Sequence, residues 1–541
     1  MGVASRLQRL YTVLFFTVIT LVYLFSRLIN LTKLPMFNDE AFYIHWAAII
    51  HDHHGSLWVP LVDGKTPLFY WVNALIIGCF SDPLVSGRVI SVASGLITIC
   101  IFYAAGHFMG RPRAGAVAGI LYLLLPWALF NDRLATVDSF HTALVIGCLF
   151  MAIRCSYPTI FSPLNALGLG LIMAASFFAK TPTIIFIPLP LLMIILMRKD
   201  RFEGATLLKV FLAYTILAIA IIIYLTRDVS MIGEGGSRIF HRSRFFIPMA
   251  QLVRFPAEMW VKNLQDLGGY LWSYFSAVLF LLGAISVVVS FLRHRKTTFL
   301  IALWTLAPMA ALLLLTRETF SRYYLMALTP MLFVIGLEIA HFMEWAKESA
   351  EQGKNRVIYK IGAIAALFLF LGFSIPRDLA YMICPTKAQY IDRDRWQYIE
   401  GYPSGYGIDR VVNLLKDIAA KGRITVFTTL SWGNPDDAVW NYLYRVPNTQ
   451  VVECFWWEET PVLPPGKEEI PLINNKFQRQ VIGNLKTRDL GLTFFVTRSN
   501  PFPRELFEKM NPGAMLIMEA PRPGGGPDKT YLYQLFKPFS P

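Results

Sequence analysis

The first long apolar stretch of the chain, LYTVLFFTVITLVYLFSRLI at residues 10–29, decides its fold class. About 20 predominantly apolar residues are what a helix needs to cross the hydrocarbon core of a bilayer. Arg6 and Arg9 precede the stretch, as in a signal sequence, but no small-residue cleavage site follows it. We therefore expect an uncleaved first membrane crossing that leaves the N-terminus in the cytoplasm.

Similar apolar runs recur through the first two thirds of the chain. They lie at 66–80, 84–108, 114–130, 136–153, 165–179, 182–197, 207–226, 271–292, 299–316, 323–344 and 359–376. The run at 66–80 is short for a crossing, and Pro126 can break the run at 114–130. The pattern predicts an α-helical multi-pass membrane protein with about 11–13 transmembrane helices, and parity favours eleven or thirteen.

The amino-acid composition supports a membrane protein and indicates which kinds of partner it has. Of 541 residues, 55% are hydrophobic and 16% are charged, whereas soluble domains carry about 25% charged residues. The 50 Lys and Arg exceed the 36 Asp and Glu by 14. In so apolar a chain this excess indicates cytoplasmic loops and phosphate-bearing lipids, and we expect no nucleic acid partner.

Clusters of basic residues predict the orientation in the membrane. Arg198-Lys199, Arg293-His294-Arg295-Lys296 and the stretch 347–360 follow apolar runs and are expected to face the cytoplasm. The loops that carry the most chemistry, together with everything after about residue 380, then lie on the opposite face. We expect a plasma-membrane protein with an extracytoplasmic C-terminal domain.

From about Tyr381 the composition changes to that of a soluble domain. Alternating patterns predict strands at 424–430, 451–456, 492–496 and 515–518 and helices at 436–444 and 477–485. Such alternation is typical of a small α/β domain. We therefore divide the chain into a transmembrane domain, 1–380, and an extracytoplasmic α/β domain, 381–541.

An adjacent acidic pair, Asp39 and Glu40, follows the first crossing within the sequence NDEAFY. A carboxylate at this surface can accept the proton of an alcohol. Adjacent residues of a helix point about 100° apart, so only one of the two would face a given substrate atom. The structural alternative is a helix cap in which Asn38 or Asp39 satisfies free N–H groups. The aromatic and alanine-rich residues that follow are expected to lie along the membrane interface.

Basic residues stand at the outer ends of several apolar runs. Lys65 opens one run, Lys180 separates two others, and Arg322 with Tyr323 opens a fourth. Cations near helix ends at membrane depth can bind an anion such as a phosphate, although snorkelling lysines and arginines are the simpler explanation. Between two runs lie Arg133 and Asp138, which can form a structural ion pair or belong to a site.

These pieces occur in the order found in one superfamily, and the chain resembles the C-type integral-membrane glycosyltransferases. More specifically, it resembles the group of the protein O-mannosyltransferases and the lipid A aminoarabinose transferase. The matching motifs are Asp39-Glu40, Lys65-x-Pro67-Leu68-x-Tyr70-Trp71, Arg133-x4-Asp138, Ala179-Lys180-x-Pro182 and Arg322-Tyr323. The likeness covers about the first 345 residues.

Three positions depart from the pattern of the group. Thr66 stands where a proline is usual, Thr181 where a glycine is usual, and Met326 where a proline is frequent. None of these changes a charged group. The departures therefore concern helix geometry more than chemistry.

The resemblance implies transfer of a sugar, with inversion, from a polyprenyl-phosphate-linked donor to an acceptor hydroxyl outside the membrane. It makes Asp39 the general base, with Glu40 holding the sugar or a divalent metal ion. It also makes Lys65, Lys180, Arg322 and Tyr323 the site of the donor phosphate.

In the same scheme, Arg133 and Asp138 orient the phosphate site. The partners are the lipid-linked donor, membrane lipid and an acceptor that is a protein, a lipid or a glycan.

Two other functions fit the same residues. A transporter or flippase of lipid-linked saccharides would also be apolar and lined with charges, and an oligosaccharyltransferase-like enzyme is a near relative in chemistry. The sequence His51-Asp52-His53-His54 can supply metal ligands, but its spacing is poor for all four to meet on one ion. No cofactor is expected with certainty, and a divalent metal ion is the one candidate.

Overall fold

The apolar runs form helices in the computed structural model. The structure describes residues 3–53, 57–157, 159–232, 246–351, 357–429, 433–454, 469–470, 485–486, 490–499, 504–511 and 513–535.

The described residues contain twenty α-helices. In chain order, α1 to α20 are Val3–Leu28, Asn38–Asp52, Leu68–Ile76, Pro83–Phe108, Pro112–Leu123, Pro126–Asp132, Val137–Cys155, Pro163–Ala179, Pro188–Met197, Gly204–Ile232, Met249–Leu252, Ala257–Tyr270, Ala277–Leu292, Lys296–Leu315, Leu325–Glu351, Val357–Ile383, Asp392–Arg395, Ile408–Ala419, Asp436–Leu443 and Arg504–Met510.

The membrane character of the chain follows from the length and composition of these helices. Within the described residues, six helices are long and apolar enough to cross a membrane, or up to eight if each of two bent helix pairs forms one span. Four further apolar helices are shorter, at 10–17 residues. The predicted fold class is confirmed, while the total of eleven or thirteen crossings stays a prediction.

Breaks within the apolar runs have local causes. Pro126 ends the run at 114–130, because a proline lacks the N–H of the helix ladder and drives the residue before it out of the helical region. Leu125 is accordingly extended, and α5 and α6 meet at 68°. A second break falls at Ser276, whose φ of 78° separates α13 from the preceding helix at 110°. The predicted effect of Pro126 is confirmed.

Contacts divide the chain into two units. The first unit comprises Met1–Asn30, Pro60–Phe69 and Val89–Gln389, and the second comprises Leu31–Val59, Tyr70–Arg88 and Tyr390–Pro541. The boundary near residue 389 lies close to the expected one at 380. The sequence did not predict that two stretches of the N-terminal region, including α2, belong with the C-terminal residues.

Helices of the first unit pack closely where a small residue permits it. At Gly336 of α15, an added Cβ would overlap the backbone carbonyl of Ala114 in α5. Small residues let helix backbones approach in this way in membranes, where van der Waals packing drives association.

A five-stranded sheet forms the core of the second unit. Strands β1 to β7 are Ile424–Thr429, Thr449–Cys454, Glu469–Ile470, Leu485–Lys486, Leu492–Arg498, Ala514–Pro521 and Lys529–Leu535. The sheet order is β2-β1-β5-β7-β6, with β1 parallel to β2 and β5, and with β7 antiparallel to β5 and β6. Strands β3 and β4 form a separate pair.

The sheet agrees well with the sequence pattern. The four predicted strands correspond to β1, β2, β5 and β6, and the predicted helix at 436–444 corresponds to α19. The elements that were missed are strands β3, β4 and β7 and helices α17, α18 and α20. The helix predicted at 477–485 lies almost wholly outside the described residues. Aromatic side chains of β5, β7 and α20 pack together in the core, and the Phe495 and Phe507 rings stack at 4.9 Å.

Candidate active site

A buried carboxylate between two cations lies at the centre of the first unit's polar site. Asp138, in the first turn of α7, has its Oδ1 2.5 Å from Lys180 Nζ and its Oδ2 3.9 Å from Arg322 Nε. Asp138 and Arg322 are 5% and 7% exposed, so most of the surrounding water is excluded. One carboxylate compensates one of the two cations, and the cluster keeps one net positive charge.

Both cations sit where a helix is interrupted. Lys180 follows the last residue of α8 in an extended conformation and precedes a short 3-10 turn with Pro182 near its start. Arg322 lies in a 3-10 turn, Ser321–Tyr324, directly before α15. Such breaks place long side chains at helix ends inside the protein. The Tyr323 ring lies under both, at 4.6 Å from Lys180 Nζ and 5.6 Å from Arg322 Cζ.

The Lys65 motif reaches the same cluster through its neighbour. Thr66, which is buried, donates from Oγ1 to the carbonyl of Ala179 at 2.6 Å, and Ala179 immediately precedes Lys180. Thr66 stands where a proline is usual in the resembling group, and its hydroxyl forms a hydrogen bond that a proline side chain could not form. Predicted phosphate-binding residues from three separate motifs are thus brought into one region of the first unit.

A second layer supports the turn that carries Lys180. His141, one turn after Asp138 on α7, has Nε2 2.8 Å from Thr183 Oγ1. Thr183 Oγ1 also lies 2.8 Å from the carbonyl of Ser176 in α8. All three side chains are buried. These contacts connect α7 to both sides of the break at Lys180 and hold the break in place.

Arg133 contacts the end of α1. Its guanidinium donates to backbone carbonyls at or just beyond the end of α1, namely those of Ser26, Arg27, Ile29 and Asn30, at 2.8–3.1 Å. A cation there satisfies carbonyls that have no partner within the helix and complements the helix dipole. Arg133 thus fixes the end of α1, and its predicted orienting role in the phosphate site stays a prediction.

Beside Arg133 lies a buried carboxylate that the sequence interpretation missed. Asp132 accepts hydrogen bonds from Tyr23 at 3.0 Å, Tyr122 at 2.9 Å and Ser139 at 2.8 Å, and pairs with Arg27 at 3.5 Å. The network joins α1, α5, α6 and α7. The available signal was Arg27 inside the first apolar run, because an ionised residue at membrane depth needs a partner.

In the second unit, Glu40 forms a buried ion pair with Arg88. The two contacts are parallel, with Arg88 Nε 2.8 Å from Oε1 and Nη2 2.7 Å from Oε2, and both side chains are fully buried. Oε2 also accepts the backbone N–H of Phe37 at 2.9 Å. Glu40 therefore caps α2, a role that we had considered for Asn38 or Asp39.

Arg88 is the second residue that the sequence interpretation missed. It lies in α4 near the start of the apolar run at 84–108, and it also donates to the carbonyls of Leu31 and Leu34. A charged residue in a membrane helix was the available signal. Its contacts fix both the Glu40 carboxylate and the chain that leads into α2.

Asp39 stands beside Glu40 at the start of α2. It lies in the first turn of α2 and is partly exposed. The turn after β1 fixes the start of that helix, because Asn434 N donates to Asn38 Oδ1 at 3.0 Å. Gly433 has a φ of 116°, which favours glycine, and an added Cβ would overlap the Asn38 carbonyl.

The rest of α2 is largely buried within the protein, and its expected position along the membrane interface stays a prediction. Ten residues of this helix are buried, and it packs against α19. His45 Nδ1 contacts Asp437 Oδ1, and Asn441 Nδ2 donates to the carbonyl of Ala41 at 2.7 Å. The aromatic and alanine-rich pattern reflects packing within the second unit.

The described residues contain no group of three or more His, Cys, Asp and Glu side chains placed to hold a metal ion. In the histidine-rich stretch, His51 Nδ1 lies 2.8 Å from the carbonyl of Ala74, and Asp52 pairs with Arg445 at 2.9 Å. His54 lies outside the described residues. The metal expectation is not tested by these contacts.

Comparisons with known proteins address the fold and the family. Residues 64–227 match the family model described as dolichyl-phosphate-mannose-protein mannosyltransferase. ArnT from Cupriavidus metallidurans, solved bound to undecaprenyl phosphate, is similar in structure with a TM-score of 0.57 and 12% identity. The match covers 98% of this chain and 99% of ArnT. The apo state of the same protein gives a TM-score of 0.57 and 13% identity, with the same coverage.

An archaeal oligosaccharyltransferase, AglB from Archaeoglobus fulgidus, is more distant. Its complex with an inhibitory peptide and a dolichol-phosphate gives a TM-score of 0.46 and 12% identity, covering 91% of this chain and 69% of AglB. No similar protein is found among curated sequences.

ArnT shares the fold of this chain and residues 64–227 match the mannosyltransferase family model, so the chain is similar to the integral-membrane glycosyltransferases of the C type. Within that class, the chain is similar to the group of the protein O-mannosyltransferases and ArnT. The resemblance and the enzyme class expected from the sequence are both confirmed. The family match spans Lys65, Arg133, Asp138 and Lys180, so it includes most of the predicted site of the first unit.

Proposed function

We propose that this protein transfers a sugar from a polyprenyl-phosphate-linked donor to an acceptor hydroxyl at the extracytoplasmic face of the membrane. The acceptor oxygen forms a bond to the anomeric carbon as the bond from that carbon to the phosphate oxygen breaks. Polyprenyl phosphate leaves, the acceptor proton passes to a carboxylate, and the configuration at the anomeric carbon inverts.

The paired cations on Asp138 carry this proposal. A sugar linked through a phosphodiester has one negative charge, whereas the leaving phosphate monoester carries about 1.5 to 2 at neutral pH. Lys180 and Arg322 lie in a largely dry region, where charge interactions exceed those in water. They would therefore bind the leaving phosphate more tightly than the intact donor, which is the condition for lowering the barrier.

Lys65 strengthens the same site. Together, Lys65, Lys180, Arg322 and the Asp138 carboxylate have a net charge of +2. This charge can balance the negative charge of the leaving phosphate, and it is larger in size than the single negative charge of the donor. Asp138 has a positioning role in this scheme, because it holds Lys180 and Arg322 in a fixed geometry before the lipid arrives. The Tyr323 ring packs against both Lys180 and Arg322 and so limits the movement of their side chains.

Asp39 is the proposed general base. General-base catalysis by a positioned carboxylate contributes about 10²–10⁴-fold. Glu40 is assigned a positioning role, because Arg88 and the Phe37 N–H occupy its carboxylate oxygens. This pair fixes the first turn of α2, and with it Asp39.

The proposed orientation places the N-terminus in the cytoplasm and the C-terminal residues outside, in the plasma membrane. The basic clusters after α9 and α13 support it through the positive-inside rule.

A transfer assay with purified protein tests the proposal. Polyprenyl-phosphate sugars and polyprenyl-diphosphate oligosaccharides are incubated with the protein and candidate acceptors, and products are identified by mass spectrometry. Release of polyprenyl phosphate from a monophosphate donor supports the proposal. Release of polyprenyl diphosphate indicates the oligosaccharyltransferase-like function, and movement of an intact donor across a vesicle bilayer indicates a flippase.

Addition of EDTA to the same reaction tests the requirement for a divalent ion.

Matched variants locate the phosphate site and the base. Arg322→Gln is expected to lower kcat about 10²–10³-fold, the usual cost of one donor that stabilises developing charge. Arg317→Gln is its control, because Arg317 is partly exposed and donates to Gln251 Oε1. Asp39→Asn is compared with Asp52→Asn at the other end of the same helix. Near-normal turnover by Arg322→Gln or Asp39→Asn contradicts the corresponding assignment.

A further inference from the structure

The second unit contains a pocket whose lining includes none of the residues assigned to sugar transfer. Its volume is about 640 Å³, within the range of about 300–1,000 Å³ that small-molecule sites occupy. It is lined by residues of three stretches of that unit, 32–36, 77–83 and 405–446. Neither Asp39, Glu40 nor Arg88 lines it.

Charged groups of both signs line this pocket. The carboxylates are Asp82 and Asp409, and the cations are Lys33, Lys416 and Arg445. A phosphate or an acidic peptide would meet two carboxylates, and a basic peptide would meet three cations. The mixture fits a ligand whose groups donate and accept hydrogen bonds at once, and a sugar hydroxyl is such a group.

Several of these groups are held in place by the fold. Asp82 Oδ1 accepts the backbone N–H of Leu84 at the start of α4 at 2.9 Å, and Asp409 lies in the first turn of α18. Arg445 Nη2 pairs with Asp52 Oδ1 at 2.9 Å. Anchored polar groups lose little freedom when a ligand binds, so they favour a specific site over a merely solvated surface.

Two aromatic rings complete the wall of the pocket. Tyr444 is stacked on Trp440 with centroids 4.1 Å apart and planes at 8°, which fixes its orientation. Tyr442 lies beside Lys416, whose Nζ is 5.7 Å from the ring centroid. Burial, together with the Asp82 charge, raises the pKa of Tyr442, so its hydroxyl stays protonated at neutral pH. The C–H face of a sugar ring can pack on such rings.

An amide at the wall adds a further hydrogen-bonding group. Asn441, which is 3% exposed, donates through Nδ2 to the carbonyl of Ala41, and its Oδ1 accepts no hydrogen bond from any residue that the structure describes. A buried acceptor without a partner costs about 1–3 kcal/mol. A ligand hydroxyl that reaches this oxygen would remove that cost.

We propose that this pocket is a second, non-catalytic site that binds a short uncharged oligosaccharide through its hydroxyl groups. Acids and amides accept from the sugar, lysines and Arg445 donate to it, and the tyrosine rings pack on its apolar face. The proposal does not depend on which sugar the enzyme transfers.

Direct binding to the full chain tests this site. The protein is placed in lipid nanodiscs, because the sugar head groups of maltoside detergents would compete. Mannotetraose, maltotetraose and chitotetraose are titrated separately by calorimetry, with inorganic phosphate as the anionic probe. The wild type is expected to bind at least one tetrasaccharide and not phosphate.

Variants in α18 and directly after it locate the binding within the chain. Asp409→Asn and Lys416→Met each remove one lining charge, and each is expected to weaken tetrasaccharide binding about tenfold or more. Asp417→Asn and Lys421→Met change neighbouring residues that do not line the pocket, and we expect them to stay within about twofold of the wild type. All four variants should keep the wild-type melting temperature and the wild-type rate of sugar transfer.

Three outcomes overturn the proposal. They are no binding of any of the three tetrasaccharides, displacement of a bound tetrasaccharide by phosphate, and wild-type affinity in both lining variants. If Asp39→Asn loses transfer activity but binds the tetrasaccharide as the wild type does, the pocket binds its ligand independently of the catalytic site.

Discussion

Replacement of Arg88 by methionine is expected to destabilise the second unit strongly while leaving the size of the side chain similar. The change removes two charge-assisted hydrogen bonds to Glu40, at 2.8 and 2.7 Å, and leaves a carboxylate buried without its cation. Hydrogen bonds to charged groups contribute about 1.5–3 kcal/mol each. Breaking a buried pair typically costs about 3–5 kcal/mol, and we expect a loss in this range.

A double-mutant cycle isolates the pair. Glu40→Gln alone leaves Arg88 charged and buried, whereas the double variant Glu40→Gln with Arg88→Met leaves no unpaired charge. We expect the double variant to be less destabilised than the sum of the two single variants, with a coupling of about 2–3 kcal/mol. Stability is measured as denaturant-induced and thermal unfolding of the purified variants in one lipid environment.

The same variants separate stability from catalysis. If Glu40 positions Asp39, the double variant should regain most of its stability but still transfer sugar slowly, because α2 loses the charged contact that fixes its first turn. If the double variant loses as much stability as the two single variants together, the idea that the pair is a coupled buried unit is refuted. Full activity in the double variant would refute the positioning role.

Three further substitutions test contacts described above. Arg133→Met should lower the unfolding free energy by at least about 1–3 kcal/mol, because buried carbonyls at the end of α1 lose their donor; an unchanged melting temperature would contradict this. Gly433→Ala should cost about 1–3 kcal/mol through its φ of 116° and displace Asn38, which protease sensitivity of α2 can report. Thr66→Val should lower kcat/KM for the donor about two- to tenfold by removing the bond to Ala179, and a wild-type value would mean that this bond does not position Lys65.

Most of the fold was accessible from apolar length and strand patterning. The runs of the sequence correspond to the long helices, and the break at Pro126 followed from backbone chemistry alone. Strand β7 was missed because its short pattern lies directly after a turn-rich stretch. The assignment of α2 to the second unit could not be predicted, because it depends on contacts between residues such as Asn38 and Asn434, nearly 400 positions apart.

The site was predicted in part. The motif order brought together Lys180, Arg322, Tyr323 and Asp138, since residues at the outer ends of neighbouring helices converge when the helices pack. The partner of Glu40 was not predicted, because Arg88 lies in a long apolar run whose average hydropathy conceals one charge. The contacts that Arg88 and the Phe37 N–H make with the Glu40 carboxylate likewise became visible only in the structure.

The second unit is assembled from segments that lie far apart in the sequence, and this has a consequence for biogenesis. Residues 31–59 leave the ribosome about 365 residues before β1, the first strand of their unit, begins. At about 5–20 residues per second, α2 waits roughly 20–80 s for β1 and α19. During that interval Asn38 lacks its Asn434 contact, and the buried face of α2 is exposed to the membrane surface and to chaperones. Early termination of translation would therefore leave a product whose N-terminal loop stays unassembled, and quality-control proteases acting outside the membrane should recognise that loop first.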